Sequence, residues 1–249
     1  MNLDLNDLLG DWPHEPGQIK VRKIVGSDGK EKIQLRIDLG LIQMETHGRP
    51  DSQRPHGYES LLAYHHALAK EKEDRGETYT LSPDECGELQ QEGIQYYHRY
   101  IALFQLNDFP AVIRDTQRNL DLFNFVTEHA EREEMAVSFE QFRPYVIMMN
   151  TRAKASIELD REDYVAAVRQ IERGREKIVD VFSERNTPEM VNSSPEIAFL
   201  DEWLEEVRAK RPLTKLETMQ REMDAAIAME AYERAAELRD AIKAYRKKE

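Results

Sequence analysis

Residues 230–242 read EAYERAAELRDAI, and their spacing decides what kind of fold closes this chain. Tyr232, Ala235, Leu238, Ile242 and Tyr245 recur at intervals of three and four, which places them on one stripe of an α-helix. Upstream, Leu216, Met219, Met223 and Ala226 keep the same rhythm. Between the stripes lies Ala228-Met229-Glu230-Ala231, the one place where a turn fits, so the two segments are expected to form an antiparallel helical hairpin. Alanine in the seam has a physical role: a methyl side chain lets two helix backbones approach closely, and Tyr232 is expected to fill the end of the seam.

Lys210-Arg211-Pro212 separates the hairpin from the rest, since proline restricts the residue before it and ends helices. Three parts are expected: residues 1–57, 58–212 and 213–249. In the middle part Tyr58, Leu61, Leu62, His65 and Leu68 form a helical stripe ended by Gly76, and Ser82-Pro83-Asp84-Glu85 reads as a capping box opening the next helix. That helix carries Ile94, Tyr97, Ile101 and Phe104 on its apolar face. Further helices are expected through Val112–Val126, through Phe139, Phe142, Val146, Met149 and Ala153, and through Val168–Phe182. Residues 183–195, SERNTPEMVNSSP, read as a linker before a short helix through Ile197, Leu200, Leu204 and Val207, with Trp203 as an anchor.

In the first part Ile33, Leu35, Ile37, Leu39 and Leu41 alternate strictly, and Ile19, Val21 and Val25 precede them across Gly26-Ser27-Asp28-Gly29. This pattern predicts a β-hairpin that caps the helices, because two strands alone are marginal in water. The fold class is therefore mainly α, with an N-terminal β-hairpin, a body of repeat-like helical hairpins or a bundle, and a C-terminal antiparallel two-helix hairpin. Two junctions in the body, LNDFPAVIRD and LDREDYVAAVRQ, resemble the turn of a tetratricopeptide repeat, with Ala155, Tyr164, Ala167, Ile171 and Gly174 at its packing positions. Phe109 and Tyr164 are too far apart for successive repeats of about 34 residues, so a regular array is not expected.

The tail resembles the UVR motif, the short C-terminal module of the excision-repair proteins UvrB and UvrC that also occurs in the regulator McsA. Leu216, Met219 and Met223 stand where the motif has its first-helix hydrophobics. Tyr232-Glu233 matches its Phe-Glu, and Ala235-Ala236, Leu238-Arg239-Asp240 and Ile242 match its AA-x-LRD-x-I run. Glu230 departs from it, standing where the motif has a leucine at the turn. The resemblance implies a contact module that binds another protein or a second copy of itself, through Leu216, Met219, Met223, Tyr232, Ala235, Ala236, Leu238, Arg239, Asp240 and Ile242. It also implies a bacterial setting in DNA repair or stress response. Asp240 is expected to pair with Lys243. The phosphate loop of UvrB and the paired cysteines of McsA are absent from this sequence.

The chain has 48 acidic against 35 basic residues and a net charge of −13, so direct nucleic-acid binding is not expected. Its single cysteine, Cys86, excludes an intramolecular disulfide and favours a reducing compartment. The N-terminus lacks the pattern of a signal peptide and no stretch is apolar enough to span a bilayer, so a cytoplasmic protein without membrane association is expected.

Candidates for chemistry are few. The loop 46–57, THGRPDSQRPHG, gathers His47, Arg49, Arg54 and His56, which could hold an anion although no glycine-rich phosphate motif accompanies them. His65 and His66 point about 100° apart on a helix, poorly placed for joint metal ligation. His98 reads as a packing residue, His129 and Glu133 as a solvated i, i+4 pair, and Cys86 as an inert buried thiol. No catalytic residue, metal or cofactor is expected. The reading is a non-catalytic interaction or adaptor protein; the alternatives are an accessory factor of nucleotide-excision repair that binds UvrB- or UvrC-type proteins, and a helical enzyme or anion-binding protein using the 46–57 loop.

Overall fold

A computed structural model describes residues 4–213 and 215–246. After a one-turn helix α1 (Leu5–Leu9), the strands β1 (Lys20–Val25), β2 (Glu31–Ile37) and β3 (Gly40–Glu45) form an antiparallel sheet in the order β1-β2-β3. The alternation from Ile33 to Leu41 is thus two strands and not one. Ile37 pairs with Gly40, so the chain reverses at Asp38-Leu39, and Leu39 is left 91% exposed. Arg36 holds this turn by donating to the carbonyls of Ile37, Asp38 and Gly40. Ile33, Leu35 and Met44 are buried, and the sheet lies on α3 (Pro83–Gln105).

The remaining helices are α2 (Leu61–Asp74), α4 (Phe109–His129), α5 (Glu133–Glu140), α6 (Arg143–Asp160), α7 (Tyr164–Glu184), α8 (Pro195–Lys210), α9 (Lys215–Ala228) and α10 (Tyr232–Arg246). The helix expected through Phe139 and Ala153 is two helices, since Pro144 opens α6 and Phe142 sits at its N-cap, half exposed. The linker 183–195 contains a short 3₁₀ helix, Pro188–Asn192. The capping box at Ser82 is complete: Glu85 N donates to Ser82 Oγ at 3.3 Å and Ser82 N to Glu85 Oε2 at 2.8 Å. Residues up to Glu205 form one compact unit and those from Glu206 a second, the division falling inside α8.

In the first unit the core gathers Leu62, Leu81, Leu89, Leu122, Phe125 and Phe139 from α2 to α5 and the segment before α3. The buried side of α3 is not the expected stripe. Cys86, Leu89, Tyr96, Tyr100 and Leu103 are buried, whereas Ile94 and Tyr97 are exposed at the mouth of an aromatic cavity of about 450 Å³ that also takes in Phe123, Phe142 and Tyr145. The offset arises because α3 buries two charges, Glu92 and Arg99, on its core side. Arg99 makes a bidentate pair with Asp115 of α4, at 2.6 and 2.9 Å, and its remaining nitrogen donates to the carbonyls of Glu45 and Gly48 at 3.0 and 2.7 Å. One buried guanidinium therefore ties α3, α4 and the end of the sheet together. Glu92 accepts from the amides of Leu61 and Leu62, the free N–H groups that open α2, and is paired with Arg118 and Arg49. The guanidiniums of Arg99 and Arg118 both lie over the ring of Tyr96, 4.8 and 4.1 Å from its centroid.

Helix α6 packs on α7 at Gly174, where a Cβ would lie 2.0 Å from Thr151 Oγ1 and 2.7 Å from Thr151 Cβ. Gly174→Ala is expected to push the helices apart and cost about 1–3 kcal/mol, the usual toll of overpacking. Gly87→Ala, on an open face of α3, should instead stabilise by about 1 kcal/mol through helix propensity. Thermal melting of both variants checks the contrast.

Three interhelical turns share one design. A residue with positive φ, Asn107, Glu162 or Glu230, ends the first helix, and the next amide donates back five residues: Asp108 to Leu103 O, Asp163 to Glu158 O, Ala231 to Ala226 O. This is the Schellman closure, and it is followed each time by an aromatic first residue of the next helix, Phe109, Tyr164 or Tyr232. At the first two turns Asp108 and Asp163 also cap the new helix with their side chains. Ala231, in the third, has none to offer.

Candidate functional site

The second unit is built on α9 and α10, which pack against each other. Ala226, Ala235, Leu238 and Ile242 are buried, while Leu216, Met219, Met223 and Ala236 are half-buried. These small and linear side chains allow close packing, and the Schellman turn at Glu230 closes the hairpin within three residues. The departure at Glu230 therefore leaves a tight turn, with a glutamate in the left-handed conformation that glycine occupies more easily. Arg211 is paired with Glu217, and Lys215 lies 5.8 Å from the centre of the Tyr245 ring.

Two expectations need correction. Tyr232 does not fill the end of the seam: it is 67% exposed, because as first residue of α10 it leaves the turn on the outer side. Asp240 is paired with its neighbour Arg239, at 3.1 Å, and not with Lys243; both members stand in solvent. Of the ten residues expected to bind a partner, Ala235, Leu238 and Ile242 are buried, Leu216, Met219, Met223 and Ala236 half-buried, and Tyr232, Arg239 and Asp240 exposed. Sequence reasoning missed Ile227 and Met229, which with Tyr232 leave the hairpin tip apolar and open, at 49%, 80% and 67% exposure. Spacing does not mark them out, since Ile227 stands four residues after Met223 and Met229 three after Ala226, as seam residues would.

Around the 46–57 loop, His47, Arg49 and Arg54 border one cleft of about 540 Å³, with Lys30 and Lys32 but also Asp28, Glu45 and Glu59. His56 is set apart from it and stacks on Tyr64 at 4.1 Å. Two of the four lysines and arginines at this cleft, Lys32 and Arg49, already face carboxylates. Arg49 lies 3.1 Å from Asp51 and 3.4 Å from Glu92, and Lys32 is held by Asp28 and Glu45, contacts that raise the Lys32 pKa.

The other titratable candidates are engaged in packing. His65 Nδ1 is 2.5 Å from the Tyr79 hydroxyl, and burial lowers its pKa; burial lowers those of His66 and His98 as well. His129 ends α4 and Glu133 opens α5, so the helical i, i+4 relation between them does not exist; His129 packs on Phe125 at 4.4 Å. Cys86 is buried, with its thiol pKa raised by burial. Among the described residues no helix is long and apolar enough to cross a membrane.

The described part of the second unit is thus a helical hairpin, a tight antiparallel pair of amphipathic helices with an apolar tip. The sequence model of the UvrB/uvrC motif matches residues 214–248, a range that takes in α9 and α10, and UVR motifs in general mediate protein–protein interaction. No curated protein and no solved structure matches the chain.

Proposed function

We propose that the protein is a non-catalytic, cytoplasmic binding protein, an adaptor whose C-terminal hairpin docks on another UVR-type hairpin, either in a second copy of the chain or in a partner. The single observation that carries this reading is the coincidence of the motif match with a hairpin whose tip leaves Ile227, Met229 and Tyr232 exposed. Support for a non-catalytic role comes from the buried carboxylates: Glu92 and Asp115 are committed to arginines and backbone amides that hold the fold. Partners of the UvrB or UvrC type, and with them an accessory role in excision repair, are the first to test because the matched motif is theirs.

The experiment is sedimentation velocity of the full chain, alone and mixed with isolated UVR hairpins from UvrB- and UvrC-type proteins. Association is expected, and Met229→Ser with Tyr232→Ser should weaken it at least ten-fold while circular dichroism shows unchanged helix. Equal association by the double variant would remove the tip from the account.

A further inference from the structure

A second cleft, of about 180 Å³, opens between α4, α6 and α7 and is bordered by Lys154, Arg173, Lys177, Gln117, Gln170 and Thr151. No carboxylate borders it among the described residues, in a chain that carries 48 acidic residues against 35 basic ones. Arg173 and Lys177 stand one turn apart on α7, and the close approach of α6 and α7 at Gly174 brings Lys154 of α6 up to them. Among the described residues none of the three is paired with a carboxylate. Burial and the nearby charge of Lys177 lower the Lys154 pKa, as befits a cation held without a counter-ion. The cleft at the 46–57 loop is the opposite case, since Asp28, Glu45 and Glu59 already stand among its cations.

We infer that the α4–α6–α7 cleft is an anion site for a single phosphoryl group, held by the ammonium groups of Lys154 and Lys177 and the guanidinium of Arg173, with the amide of Gln170 as a further donor; the Gln117 amide is already given to Asp121, at 2.9 Å. Three converging cations without a counter-ion repel one another, and a compact dianion relieves that repulsion while accepting their hydrogen bonds. The volume admits a phosphate-sized group and not a nucleotide, so the group is free inorganic phosphate or the phosphoryl end of a phosphorylated small molecule. Gln, Thr and Lys side chains are well suited to its tetrahedral oxygens.

The test is thermal melting of the full chain in inorganic phosphate, in O-phosphoserine and in chloride at matched ionic strength. Saturating phosphate is expected to raise the melting temperature by about 2–4 °C over chloride. A rise with O-phosphoserine of the same size identifies a phosphoryl site open to a tethered group, and a rise with phosphate alone a site for the free ion. Arg173→Gln with Lys177→Gln, both exposed positions, should raise the chloride melting temperature or leave it no lower, since they remove like charges, and should abolish the rise with phosphate, whereas Arg54→Gln at the other cleft should preserve it. No rise over chloride, or a rise that survives Arg173→Gln with Lys177→Gln, overturns the inference, as does a rise lost only with Arg54→Gln.

Discussion

Replacing Arg99 by methionine should lower the unfolding free energy by about 3–5 kcal/mol, the cost of removing one member of a buried ion pair. Asp115 keeps only the partly exposed Arg114 as a partner, at 2.9 Å, and the carbonyls of Glu45 and Gly48 lose their donor. Those carbonyls lie where β3 runs into the 46–57 loop, so the damage should extend to the docking of the sheet on α3. Urea unfolding followed by circular dichroism gives the free energy, and limited proteolysis of the 46–57 loop reports the sheet. Arg99→Met with Asp115→Leu should recover part of the loss, because it removes the stranded charge as well.

Ala235→Glu should have a comparable effect on the hairpin. Ala235 is 8% exposed in a seam fitted to a methyl group, and a glutamate there must bury an unpaired carboxylate or separate the helices, at a cost of several kcal/mol. Among the described residues the hairpin buries, besides Ala235, only Ala226, Leu238 and Ile242 of its apolar side chains, too little to absorb that cost. Hydrogen exchange of the full chain should show protection lost over α9 and α10 and kept in the first unit, together with loss of association. Glu237→Ala is the control: Glu237 is exposed and paired with Arg234 at 3.0 Å, an interaction whose loss should stay within about 0.5 kcal/mol.

The hairpin was legible because nearly everything that specifies it is local: the seam spacing, the alanines, and a turn with one place to go. Tyr232 was misplaced because spacing puts it on the stripe, whereas the turn geometry, invisible in residue type, sends the first residue of α10 outward. The likeness of LNDFPAVIRD and LDREDYVAAVRQ has a structural source in the shared Schellman turn, which Met229–Tyr232 repeats without the aspartate cap. The sheet was undercounted because alternation continues through Asp38-Leu39 as if no turn intervened. The face of α3 was misjudged for a different reason. A periodicity count treats Glu92 and Arg99 as solvent-facing, and only their partners on α4 and before α2 make them core residues. The cleft of Lys154, Arg173 and Lys177 joins two helices and depends on Gly174 letting them meet, so no single stretch of sequence displays it.

The central claim is that this chain binds through the tip of its C-terminal hairpin, and hydrogen exchange read by mass spectrometry tests it most directly. The full chain is compared at low and high concentration and with an isolated UVR hairpin from a UvrB- or UvrC-type protein. Slowed exchange confined to residues 227–236, with the first unit unchanged, is the predicted result. Protection that appears in the first unit alone, or nowhere at concentrations where sedimentation shows association, would contradict it.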